Sequence, residues 1–143
     1  MNEEVILLVE DNPDDIALAL RALKKSNLGK EIVVARDGAE ALDYLFGNPE
    51  NALPELIMLD LKLPKISGIE VLKKLRADER TRFLPIVVMT TSNERQDIVN
   101  CYNHGANSYI RKPVDFAKFY DVIKQIGTYW LSLNERMPER NLA

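Results

Sequence analysis

Cysteine is almost absent: Cys101 stands alone among 143 residues, so no internal disulfide can form and a disulfide-stapled secreted scaffold is excluded. Histidine is as sparse. His104 is the single example, with no Cys, His or Asp at ligand spacing, so a cation near a helix end is its better reading. Long apolar runs are missing too. The longest uninterrupted aliphatic stretch, Val5 to Val9, falls far below the roughly 18 residues of a spanning helix, and no membrane segment is expected. The opening residues carry Glu3 and Glu4 and lack the basic region of a secretory signal, which points to the cytoplasm. There is no basic excess: 19 Lys and Arg stand against 22 Asp and Glu, a net charge of −3. That balance gives no support to nucleic-acid binding, which needs cations facing phosphates. Internal repeats and low-complexity tracts are absent as well.

What is present describes one globular unit. Hydrophobic residues make up 46% and charged residues 29%, enough for one well-buried core and too few residues for two ordinary domains. One domain over residues 1–130 is expected, with 131–143, where periodicity fades and Pro138 intervenes, as a helix end and tail.

Apolar runs and amphipathic stripes alternate along the chain. Val5 to Val9 reads as a strand covered on both faces. Asn12 caps a helix with Pro13 at its first position and Asp14 and Asp15 favouring its dipole; Ile16, Ala19, Leu20 and Leu23 form its stripe, and Gly29 closes it. Ile32 to Ala35 is a second strand. Asp37-Gly38 turns into a helix bearing Ala39, Leu42, Leu45 and Phe46, and Gly47 to Pro54 is a loop. Leu56 to Leu59 is a third strand, stopped by Pro64. Ser67 and Glu70 form a capping box for a helix carrying Val71, Leu72 and Leu75. After a charged turn, Ile86 to Met89 is the fourth strand. Asn93 is a cap for a helix bearing Ile98, Cys101 and Tyr102 that ends at His104-Gly105. Ser108 to Arg111 is the fifth strand, and Phe116, Phe119, Tyr120, Ile123, Ile126 and Trp130 recur at helical spacing behind it. Five strands alternating with five helices predict a doubly wound parallel α/β sheet in three layers, since parallel strands need right-handed crossovers.

In such a sheet the carboxyl ends of the strands share one edge. Glu10-Asp11, Asp60, Thr90 and Lys112 would then meet: three carboxylates, a hydroxyl and an ammonium. Singly, several have ordinary explanations. Glu10-Asp11 by itself reads as an acidic helix start, Thr90 as a β-former and Lys112 as a solvated loop cation. Asp60 is different, because an apolar strand delivering a lone carboxylate beside Pro64 has little packing rationale. Tyr109 fits a half-buried strand aromatic and a switch equally. Cys101 follows the apolar stripe and reads as core.

In order along the chain come an acidic pair after the first strand, Asp-x-x-x-Pro-x-x-x-Gly after the third, Thr after the fourth and Lys-Pro after the fifth. Together these resemble the CheY-like receiver domain of two-component response regulators, over nearly the whole chain. The resemblance implies a flavodoxin-like (βα)5 fold with strand order 2-1-3-4-5, under which the chemotaxis receiver serves as a standard example. It implies Asp60 as phosphoacceptor and a cation site made by Glu10, Asp11, Asp60 and the Lys62 backbone carbonyl. Thr90 and Lys112 would meet phosphoryl oxygens, Thr90 and Tyr109 would form the switch, and the Lys112-Pro113 bond would be cis. The Gly47 to Pro54 loop, the Thr90-Thr91 pair and the late Tyr129-Trp130 are similar to stand-alone regulators serving bacterial phytochromes. The implied partners are a sensor histidine kinase or phosphotransfer protein, a phytochrome among them, and a second copy through the fourth helix, fifth strand and fifth helix. Tyr129, Trp130, Leu131, Leu133 and Met137 could extend that face; a satellite of the core is the plainer reading.

Three clustered carboxylates repel one another, so one of them should protonate more easily unless a cation sits among them. All-oxygen donors suit a hard ion, Mg²⁺ with Mn²⁺ possible. The expected chemistry is a self-catalysed transfer onto Asp60, not turnover of an external substrate. Three other classes share parts of the pattern. A flavin or nucleotide binder needs phosphate-facing amides after the first strand, where Glu10, Asp14 and Asp15 would repel the ligand. A phosphatase wants a second acid beside Asp60, yet Leu61 and Lys62 follow it. The last is a receiver-like interaction scaffold that is never phosphorylated, with Thr91 or Lys62 blocking the site.

Overall fold

The structure, a computed structural model, describes residues 5–25 and 31–138. Buried apolar runs become strands and amphipathic stripes become the helices that cover them: β1 (Val5–Val9), α1 (Pro13–Lys25), β2 (Glu31–Ala35), α2 (Gly38–Leu42), β3 (Leu56–Leu59), α3 (Gly68–Ala77), β4 (Ile86–Thr90), α4 (Arg95–Asn103), β5 (Ser108–Arg111) and α5 (Phe116–Thr128). The strands form one parallel sheet ordered β2-β1-β3-β4-β5, the expected doubly wound arrangement.

Period-two alternation splits the core between the two faces. Leu7, Val9, Ile57, Leu59, Ile86 and Val88 meet Ala41, Val71, Leu72, Leu75 and Cys101 on one side. Ile6, Leu8, Met58, Val87 and Met89 meet Ile16, Ala19, Ala22, Leu23, Phe119, Ile123 and Ile126 on the other. α2, α3 and α4 therefore cover one face, and α1 and α5 the other.

Local chemistry explains the boundaries and several departures from expectation. Asn12 Oδ1 accepts the N–H groups of Asp14 and Asp15 at 2.9 and 3.1 Å, and Ser67 Oγ accepts that of Glu70 at 3.3 Å, as capping requires. α4 differs from expectation, because Glu94 and not Asn93 precedes its first turn. Ser92 takes over the local bonding, its hydroxyl accepting the Glu94 N–H and donating to Asp97 Oδ2 at 2.5 Å. The predicted helix through Phe46 is regular only to Leu42 and then widens into a π turn over Asp43–Gly47. A Cβ on Gly47 would meet the Asp43 carboxylate, so a larger residue there would require the exposed Asp43 side chain to swing aside. Beyond α5 the chain widens again over Tyr129–Leu133. Trp130 and Leu131 pack against the α1 and α5 side of the core, while Tyr129, Leu133 and Met137 are exposed. Arg136 reaches back to Glu55 at 3.2 Å. Gly29, expected to close α1, lies outside the described residues. Among the described residues no helix is long and apolar enough to cross a membrane.

Candidate functional site

Parallel register brings the carboxyl ends of the strands to one edge. Val9 stands beside Leu59 and Leu59 beside Val88, so Glu10, Asp60 and Met89-Thr90 leave the sheet together. The Asp60 N–H donates to the Val9 carbonyl at 3.0 Å and the Glu10 N–H to the Ala35 carbonyl at 3.0 Å, which fixes both backbones at the ends of their ladders. Below Asp60 the β3–α3 loop folds tightly. Gly68 donates to the Leu61 carbonyl at 2.9 Å, and any Cβ on it would strike the backbone of Asp60 and Leu61, so glycine is required there.

One carboxylate oxygen each from Glu10, Asp11 and Asp60 lie within 4.8 Å of one another. Glu10 and Asp60 are buried and Asp11 is exposed. Lys112, buried itself, reaches into this cup with its Nζ at 2.5 Å from Glu10 Oε1, 3.0 Å from Asp15 Oδ2 and 3.1 Å from Asp60 Oδ2. Its three donors each find one carboxylate. Burial opposes its charge, but the bond to Glu10 and the fields of Asp60 and Glu10 hold the ammonium pKa above the usual lysine value. Burial likewise pushes the Glu10 carboxyl up to about 7; the Lys112 hydrogen bond pulls back and the Asp60 charge adds to the rise. Glu10, Asp15 and Asp60 share a single ammonium with Asp11 standing beside Glu10 and Asp60, leaving the cup with excess negative charge.

The remaining expected residues stand around this centre. Thr90 is buried at the end of β4, and its hydroxyl accepts the Ser92 N–H at 3.4 Å without bonding any carboxylate among the described residues. Tyr109 is half-buried, and its hydroxyl donates to the Ser92 carbonyl at 2.9 Å. Ser92 therefore joins Thr90, Tyr109 and, through Asp97, helix α4. Lys62 and Thr91 are exposed, and the Lys62 N–H points at Asp60 Oδ1 from 3.4 Å. No cis peptide occurs among the described residues, so the Lys112-Pro113 bond is trans, contrary to expectation. Trans is the slightly favoured state of an X-Pro amide, and with it the Lys112 N–H still donates to the Thr90 carbonyl at 2.7 Å.

Two residues of this site go beyond the expectations from sequence, which give Asp15 to the α1 dipole and to the acids that would repel a flavin or nucleotide but not to the site itself, and leave Ser92 unmarked. Asp15 has a signal all the same: Ala19 and Ala22 lie four and seven positions on, and both are buried, so Asp15 begins the inward-facing row of its helix.

The response regulator receiver domain family matches this chain over residues 6–124. The chain belongs to that family. It is 40% identical over 132 residues to the probable methanogenesis regulatory protein FilR2 of Methanothrix harundinacea, covering 91% of this chain and 85% of the relative. It is 37% identical to response regulator Rcp1 of Synechocystis, covering 90% and 89%. The crystal structure of Rcp1 in its Mn²⁺-bound form superposes with a TM-score of 0.88 at 33% identity, over 94% of this chain and 99% of Rcp1. That of the phosphorylated cyanobacterial phytochrome response regulator RcpA superposes with a TM-score of 0.89 at 39% identity, over 94% and 98%. As a receiver domain, the chain is a component of two-component signalling. The all-oxygen donor set and uncompensated negative charge of its acidic cup fit a hard divalent cation.

Proposed function

We propose that this receiver domain accepts a phosphoryl group on Asp60 from the phosphohistidine of a sensor kinase or phosphotransfer protein, with Mg²⁺ bound and Mn²⁺ able to replace it. The observation that carries this reading is the Lys112 ammonium seated on Glu10, Asp15 and Asp60. An in-chain cation standing among buried carboxylates marks where further positive charge is wanted. Glu10, Asp11, Asp60 and the Lys62 carbonyl would hold the ion, which supplies neutralisation of the phosphoryl oxygens as charge redistributes among them.

Asp60 attacks as the carboxylate. An Asp60 oxygen–phosphorus bond forms as the phosphorus–nitrogen bond of the donor breaks. The imidazole takes that bond's electron pair and leaves neutral, because its other ring nitrogen already carries a proton. Lys112 turns a donor from the Asp60 oxygen to a phosphoryl oxygen, so no general base is required. No second acid follows Asp60, where Leu61 and Lys62 stand, which supports a single acceptor event over turnover.

Output is a population shift. A phosphoryl oxygen accepting from the Thr90 hydroxyl draws its Oγ toward Asp60 and away from the Ser92 N–H, and Ser92 carries Tyr109 and Asp97 with it. The surface of α4, β5 and α5, where Val99, Tyr102 and Phe116 are exposed, then changes for a partner protein or a second copy. RcpA is a cyanobacterial phytochrome response regulator, and the shared fold and identity support a phytochrome-type kinase as the donor here.

Intact-mass measurement with Mg²⁺ and a small phosphodonor is expected to show one added phosphoryl group in the wild type and none in Asp60→Asn. No gain in the wild type returns the chain to the alternative, an unphosphorylated receiver-like scaffold.

A further inference from the structure

Lys112 has three ammonium hydrogens and three carboxylate partners, but those partners are not equivalent. Glu10 and Asp60 belong to the group whose oxygens close to within 4.8 Å with Asp11, the set that suits a cation, and Asp60 is in addition the acceptor. Under the reading above, on which this inference rests, the cation engages Glu10 and an ester replaces the Asp60 carboxylate. Asp15 is outside that set. It still holds Lys112 Nζ at 3.0 Å with its own side chain mostly covered, at 20% exposure.

We propose that Asp15 is a positioning residue for phosphotransfer: it anchors the Lys112 ammonium and keeps it aimed at Asp60 when both other partners have been taken. Lysine ends in a compact charge on four rotatable carbons and has no built-in aim. A lysine held at one end only, with its former partners redirected, samples positions away from the phosphoryl group, and small misplacements are costly in rate. The placement of Asp15 suits the task. It stands in the first turn of α1, its own N–H held by Asn12 Oδ1 at 3.1 Å, and its side chain lines the same recess as Glu10, Ala19, Asp60 and Lys112. Its neighbour Asp14 shares the Asn12 cap but is exposed and, among the described residues, bonds no lysine. Both are capped by Asn12, and Asp15 is the one whose carboxylate reaches Lys112.

The test is a double-mutant cycle of Asp15→Asn and Lys112→Met. Phosphoryl gain on Asp60 is followed by intact mass with Mg²⁺ and phosphoramidate. Asp15→Asn is expected to slow the gain on the order of tenfold, about one charge-assisted hydrogen bond, and to cause no further slowing once Lys112 is Met. A wild-type rate in Asp15→Asn, or equal slowing in both backgrounds, overturns the proposal. A second arm uses neither cation nor donor. In urea denaturation, Asp15→Asn should move the midpoint less favourably when Lys112 is present than when it is Met, and equal shifts overturn the anchoring. If the wild type gains no phosphoryl group, both the function proposed above and this role fall, whereas a phosphorylated wild type with an indifferent Asp15→Asn removes this role alone.

Discussion

Cys101 shows how a single side chain reports its surroundings. It is fully buried between α4 and the sheet, and burial, aided by the Asp97 charge, pushes its thiol up to about 11 from the ordinary 9.0. Burial also raises the Tyr109 phenol above its ordinary 10.0, and the carboxylates raise Lys112. All three hold their protons more tightly folded than unfolded. Above about pH 9 the unfolded chain binds fewer protons than the native one, so stability must fall as pH rises. The urea midpoint is expected to decline from pH 9 to 11, and Tyr109→Phe should flatten part of that slope; a flat wild-type profile would contradict the burial seen here. Cys101 should resist alkylation at pH 8 until urea opens the core. The helical stripe in the sequence already foretells its burial. Asp60, Glu10, Asp11 and Lys112 are equally legible, because strand ends and turn residues put them on one edge. Asp15 is less so: the helix dipole already accounts for an acid in a first turn, and although its spacing from Ala19 and Ala22 puts it on the inward row, only the packing shows its carboxylate reaching Lys112.

At the scale of elements, Arg76 in the last turn of α3 ties three segments together. Its Nε donates to the Gly105 carbonyl at 2.9 Å and its Nη1 to the carbonyls of Arg82 and Leu84 at 2.8 Å each. Its Nη2 donates to Asn107 Oδ1 at 2.9 Å, and that oxygen also accepts the Ile86 N–H at 2.7 Å. One guanidinium thus joins the end of α3, the start of β4 and the turn into β5, with neutral partners only, the geometry for which arginine's fixed fork is suited. Gly105 sits at φ 97°, and a Cβ there would meet Arg76 Cγ at 2.8 Å, so the turn and the arginine are mutually dependent. Arg76→Leu strands several carbonyls and is expected to cost roughly 2–4 kcal/mol in urea denaturation, with Arg76→Lys recovering only part. Because this hub lies at the opposite end of the sheet from Asp60, phosphoryl gain should keep its wild-type rate, and a matching loss of rate would show that the two ends are coupled. In the sequence Arg76 is merely a cation in a last helical turn. Its partners lie up to 31 residues away, a separation to which helix periodicity is blind.

For the whole molecule, strand order follows from the alternation of apolar runs and stripes, since short right-handed crossovers leave few topologies. The π turns after α2 and α5 and the trans Lys112-Pro113 bond depend on small energy differences, which no residue pattern fixes. The topology has an electrostatic consequence for the fold itself. A chain of net charge −3 gathers Glu10, Asp11, Asp15 and Asp60 around one ammonium, whereas the unfolded chain disperses them. Folding therefore assembles a repulsive site, and a divalent ion that binds only the assembled cup must stabilise the native state by mass action. At a Mg²⁺ concentration a hundred times the dissociation constant the gain is about 2.7 kcal/mol, equivalent to a rise in Tm of roughly 5–11 °C for a chain of this size. NaCl at matched ionic strength only screens, so it should give little of that rise. Asp11→Asn should lose most of the Mg²⁺ shift while its ion-free Tm stays at or above the wild type, because removing a repelling charge relieves the cup. A ligand set placed elsewhere would instead leave the Asp11→Asn shift intact, and a rise of equal size with NaCl would reduce the effect to screening.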